Sequence, residues 1–138
     1  MERIRNMNMV SRRSILLFSL TSLSLLYLLL TCNLLNNAVK FTKEGTIVTT
    51  VKEEEDQQRN QLIVSVKDSG DGIDPDILPK LFSKFTTKSY HGTGLGLYIC
   101  KGIIEAHGGK IWGENNVGGK GATFTFSIPF VSNISADP

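Results

Sequence analysis

"HGTGLGLYICKGIIEAHGG", His91 to Gly109, sets a glycine at every second position and then enters an apolar run with helical spacing. Glycine weakens regular structure but allows backbone angles and close approaches that other residues do not. The first turn of a helix carries unpaired N–H groups at the positive end of its dipole, so glycines there suit a phosphate as readily as a flexible turn. The stretch lacks the G-x-G-x-x-G spacing after a strand, which argues against a dinucleotide fold, and the G-K-[ST] ending of a P-loop. A helix from about Leu95 to His107, stopped by Gly108–Gly109, is the local expectation.

Upstream, "NLLNNAVKF", Asn33 to Phe41, has helical period. Leu34, Ala38 and Phe41 fall on one stripe, with Asn33, Asn37 and Lys40 on the adjacent one. "TIVTTVK" and "QLIVSVKD" are β-branched alternating runs flanking the polar "EEEDQQRN", which predicts an antiparallel hairpin. The period of two puts Asp68 on the apolar face of Leu62, Val64 and Val66. "DPDILPKLF" predicts a short helix capped by Asp74 with Pro75 in its first turn. "KIWGEN" and "ATFTFSIPF" predict two further strands, Ala122, Phe124, Phe126 and Ile128 forming the apolar face of the last. The order predicts an α+β two-layer sandwich, helices on one face of a mixed, mainly antiparallel sheet.

A chain of 138 residues is long enough for one domain with a core. A net charge of +2, with scattered lysines, excludes a nucleic-acid binder by expectation. Cys32 and Cys100 have no zinc or disulfide spacing and read as buried hydrophobes in a reducing compartment. Residues 1–31 form an apolar, arginine-led segment that is signal-like, membrane-like or a helical extension; residues 32–131 form the domain, and 132–138 a frayed tail. A span through residues 15–35 would reach the about 20 residues a bilayer needs. The positive-inside rule would then export the domain, so the expectation is a cytoplasmic one, with membrane association through 15–35 left open.

The amides of Asn33 and Asn37 are neutral hard ligands suited to magnesium that leans on substrate phosphates, and Lys40 offers a point charge to the same phosphates. Asp68 at a strand end suits an exocyclic amine such as that of adenine, with Gly70 and Gly72 letting a ring lie against backbone. A solvated helix face and a D-G turn are the plainer alternatives. "LFSKF" places Phe82 and Phe85 around Ser83 and Lys84, where both also fit as ordinary core aromatics.

"NLLNNAVKF", "DSGDG", "LFSKF" and "GTGLGL", in this order, resemble the N box, first glycine box, F box and second glycine box of sensor histidine kinases. "EAHGGKIWGEN" and "GKGATFTFSIP" resemble the sequences that close that domain, so the resemblance covers about residues 33–130. It implies a Bergerat-type sandwich binding ATP and Mg2+. Asn37 would be the magnesium ligand, Asn33 its support, and Lys40 and Lys88 phosphate contacts. Asp68, Gly70 and Gly72 would form the base pocket. Residues 82–92 would be a lid including Phe85, and Thr93, Gly94, Leu95 and Gly96 would meet the phosphates.

Hydrolysing relatives of that superfamily use a glutamate where this chain has Asn33, and an amide cannot act as a general base. Phosphoryl transfer to a protein is therefore expected over hydrolysis. Neither His91 nor His107 has the context of an acceptor, and the strand usual before the N box is replaced by "SLTSLSLLYLLLTC". The resemblance thus implies either a kinase domain acting on a histidine or dimerisation hairpin in trans, with a response regulator downstream, or a non-catalytic nucleotide-binding module.

Overall fold

The computed structural model describes residues 9–55, 60–87 and 92–130, with side chains from residue 24 onward. The chain divides into two compact units, Met1–Cys32 and Asn33–Pro138. The first is helical: α1 runs over Met9–Phe41 and contributes its last turns, from Asn33, to the second unit. No helix among the described residues is long and apolar enough to cross a membrane.

In the second unit, β1 (Ile47–Glu55), β2 (Asn60–Asp68), α2 (Gly96–Ala106), β3 (Lys110–Asn115) and β4 (Ala122–Phe130) follow in order. The four strands form one sheet in the order β1-β2-β4-β3, every neighbouring pair antiparallel. The expected parallel component is absent among the described strands. Registers Val64↔Phe126 and Val66↔Phe124 stack the apolar faces of the two central strands. The end of α1 and α2 cover that face, giving an α+β sandwich.

The core joins residues that alternation singled out in β2 and β4 to residues of the α1 stripe and of α2. Val66, Phe126, Ile104 and Leu34 are fully buried, with Ala38, Val64, Cys100 and Ile128 beside them. Each large side chain so buried stabilises the fold by roughly 1.5–3 kcal/mol. Phe41, the third residue of the α1 stripe and the last of the helix, is 41% exposed and lines a cavity instead of joining the core. β1 is an edge strand and almost wholly exposed.

The helix expected over "DPDILPKLF" contracts to a 3₁₀ turn at Leu78–Lys80. Asp74 does organise it: its Oδ1 accepts from Asp76 N at 2.8 Å, and its carbonyl accepts from Ile77 N and Leu78 N. Pro79 has no N–H to continue an α-helical ladder, so the turn closes early.

Candidate functional site

Two cavities open in the second unit and share Asn37, Thr86 and Thr87. The inner one, about 480 Å³, is an apolar slot between Ile73, Ile77, Leu81 and Phe124, with Asp68 in its wall. Such a volume suits a small-molecule ligand. The outer one, about 330 Å³, is lined by Asn33, Asn36, Asn37 and Lys40 from α1 and by Thr93, Gly94 and Gly96 at the start of α2.

Asp68 is 4% exposed. Period two along β2 aims it at the helix side of the sheet, where it ends the ladder. Its Oδ1 accepts from Gly70 N at 2.9 Å and from Ala122 N at 3.3 Å. Oδ2 has no partner among the described residues, so this side chain can still accept a hydrogen bond from a group in the slot.

In the outer cavity Asn33, Asn36 and Asn37 stand at i, i+3 and i+4 of one helix, which places their amides on one side. Lys40, one turn further, is the one charged side chain lining it among the described residues, and no carboxylate among them does. Lys40 Nζ also lies 5.6 Å from the centre of the Phe41 ring. Among the described residues no side chain caps the N-terminus of α2 at Leu95, which leaves its first N–H groups at the positive end of the helix to other partners. Amides, a cation and helix N-terminal N–H groups on one cavity are chemistry that suits a polyphosphate.

A family model matches residues 24–132, under the description "Histidine kinase-, DNA gyrase B-, and HSP90-like ATPase". The chain belongs to this ATPase family. Cyanobacterial phytochrome A of Nostoc sp. is 45% identical over 101 residues, 70% of this chain and 13% of that protein. The sensor histidine kinase WalK of Bacillus subtilis is 42% identical over 107 residues, 71% of this chain and 17% of WalK. The solved nucleotide-free catalytic domain of histidine kinase ThkA is similar at 42% identity and a TM-score of 0.58, over 72% of this chain and 63% of that one. Full-length ShkA in complex with AMPPNP is similar at 33% identity and a TM-score of 0.63, over 75% of this chain and 21% of ShkA. The chain spans 11–17% of the length of such curated relatives.

Within this ATPase domain, Asn33, Asn37, Lys40, Asp68, Gly72, Thr93, Gly94 and Gly96 of the expected site line one cavity or the other. Gly70, Leu95 and Phe85 line neither. Gly70 is buried behind the slot, tight against the Phe41 carbonyl. Leu95 is the residue before α2, its N–H 3.4 Å from Thr93 Oγ1. Phe85 has φ 61°, and the turn made there leaves its ring 72% exposed. Lys88 and His91 lie outside the described residues. His107 caps the far end of α2, its Nδ1–H donating to the Ile103 carbonyl at 2.7 Å. Asn36, Thr86 and Thr87 went unnoticed in the sequence; Asn36 was legible as the i+3 neighbour of Asn33, the threonines only as polar loop residues.

Proposed function

We propose that the chain is an ATP-binding catalytic domain that transfers the γ-phosphoryl group to a histidine supplied by a partner. One observation carries this reading: an apolar slot with a buried carboxylate shares Asn37, Thr86 and Thr87 with a cation- and amide-lined cradle. The slot accommodates a planar base and Asp68 Oδ2 accepts from its exocyclic amine. The cradle takes the triphosphate. The AMPPNP complex of ShkA supports adenine nucleotide as the ligand.

The donor set fits magnesium bound with substrate. Neutral amide oxygens without a carboxylate suit a hard cation that draws its negative ligands from the phosphates. Asn37, flanked by Asn33 and Asn36, is the residue that would hold it, and its chemistry there is to offset phosphate charge. Lys40 and the N-terminus of α2 act on the same charge from the protein side. In the transfer, an imidazole nitrogen bonds to the γ-phosphorus, the bond to the β,γ-bridging oxygen breaks, and ADP leaves with the electron pair. The imidazole proton passes to solvent. Little covalent chemistry falls to the protein, so positioning and charge stabilisation dominate.

Asn33 favours transfer over hydrolysis, since it has no basic group to activate water. The bond from His107 to the Ile103 carbonyl, at the opposite end of α2 from the cradle, supports an acceptor outside this chain. A response regulator would then receive the phosphoryl group, and cytoplasmic placement follows from the need for ATP. Radiolabelled ATP should leave acid-labile label on an added protein carrying an accessible hairpin histidine, with none on this chain. Sustained phosphate release by the chain alone, abolished by Asn37→Ala, would make it an ATPase instead. Binding without either activity would make it a non-catalytic nucleotide module.

A further inference from the structure

The inner slot is lined by the end of α1, the end of β2, the glycine loop after it and the start of β4. Asn115, the last residue of β3, and Asn116, the first of the turn to β4, spend their side-chain amides on Ile73 and on Asp68. Asn116 Nδ2 donates to the Asp68 carbonyl at 2.7 Å and to the Lys120 carbonyl at 2.9 Å. Its Oδ1 accepts from Thr123 Oγ1 at 2.7 Å, and its backbone N–H donates to the Gly121 carbonyl at 3.0 Å. Asn115 meets Ile73 on both sides, Nδ2 donating to the Ile73 carbonyl at 2.9 Å and Oδ1 accepting the Ile73 N–H at 2.6 Å.

These bonds begin where the pairing of β2 with β4 stops. The β2–β4 ladder ends at Lys67↔Thr123, one residue before Asp68. Beyond it, the Asp68 backbone is held to the turn by a side chain, and the Asp68 carboxylate by Ala122 N and Gly70 N. A carboxylate that must present one oxygen to a ligand needs its backbone fixed as closely as its own χ angles, because a hydrogen bond weakens steeply once misaligned. Asn115 and Asn116 touch neither cavity.

We infer that Asn116, braced by Thr123, is the residue that positions Asp68 for base recognition, and that Asn115 holds the opposite wall of the slot through Ile73. The inference rests on the reading of the slot as an adenine site and adds to it the elements that set its selectivity. The ligand class is a 6-amino purine, distinguished from a 6-oxo purine by the unshared Oδ2.

The test is calorimetric titration of the full chain with ADP and with inosine diphosphate, which differ at the position Asp68 faces. The unaltered chain should prefer ADP. Asn116→Ala should shrink that preference by about tenfold, the effect of a charged hydrogen bond put out of line, with inosine diphosphate affinity nearly unchanged. Thr123→Val should act in the same direction more weakly, and Thr123→Ser, which keeps the hydroxyl, should restore the preference. Added to Asp68→Asn, Asn116→Ala should cause no further loss of preference, because the two act through one contact. Equal weakening of both nucleotides by Asn116→Ala, or a preference that survives both Asn116→Ala and Thr123→Val, overturns the positioning role while leaving ATP binding standing. An unaltered chain that binds neither nucleotide, or does not distinguish them, overturns the adenine reading itself and the inference with it.

Discussion

Phe85 and Gly94 are joined neck to neck, the Phe85 N–H donating to the Gly94 carbonyl at 2.9 Å, with both residues at positive φ, 61° and 65°. The pair ties together the two ends of the segment carrying Thr86, Thr87 and Thr93, which line the cradle. A Cβ on Gly94 would stand 2.5 Å from the Phe85 carbonyl carbon and 2.7 Å from its Cα. Backbone occupies that space, so neither side can yield easily.

Gly94→Ala is therefore expected to open the neck. The left-handed backbone alone costs an alanine about 1–2 kcal/mol, and the overlap adds to it. Urea unfolding should show that loss, and nucleotide titration a weaker triphosphate. Unchanged stability and affinity would mean that the neck does not hold the cradle.

Gly96 meets the other wall of the cradle. A Cβ there would lie 2.9 Å from Asn33 Oδ1 and 3.1 Å from its Nδ2. Gly96→Ala should displace the Asn33 amide and weaken ATP while leaving adenosine binding nearly intact. Adding Asn33→Ala should relieve the crowding and return part of the stability lost. Equal losses for ATP and adenosine would point to a general packing defect instead.

Asp68→Asn preserves the oxygen that accepts from Gly70 and Ala122 and replaces the unshared one by a donor. A donor facing an exocyclic amine leaves both unpaired, whereas it suits the oxygen of a 6-oxo purine. The preference for ATP over GTP should fall by about tenfold or more. Calorimetry that shows the same ratio before and after would remove Asp68 from base recognition.

Cys100 is buried against the sheet, and burial pushes its thiol up from 9.0 to about 11. The unfolded chain thus loses this proton near pH 9 while the folded chain keeps it to about pH 11. Where the unfolded state binds fewer protons, stability falls as pH rises. Cys100 should therefore contribute a decline between about pH 9 and 11 and nothing below. Comparing unfolding midpoints with Cys100→Ala across that range isolates it; parallel curves would refute the contribution.

The opening glycines were readable because they answer to backbone geometry, and the asparagine stripe and Asp68 because helices and strands have fixed periods. Residues 33, 37 and 40 recur on one side of a helix whatever lies beyond it, and Asp68 follows the face of Val64 and Val66. The same rule delivered the apolar face of β4 and the limits of β3 and β4. It failed where a period was broken locally: at Pro79, where the helix shrank to a 3₁₀ turn, and at Phe41 and Phe85, apolar residues that the chain leaves exposed.

The joining of segments distant in sequence was decided only by tertiary structure. Asn115 and Asn116 stand where β3 gives way to a turn and promise no more than a reversal of direction, yet their amides close on Ile73 and Asp68, more than forty positions earlier. Gly94 backs onto Phe85, and Gly96 onto Asn33. Side-chain period is a property of one element and is written in a few consecutive residues. Which amide meets which carbonyl depends on how the sheet stacks β2 beside β4, and that follows from burial of the whole core at once.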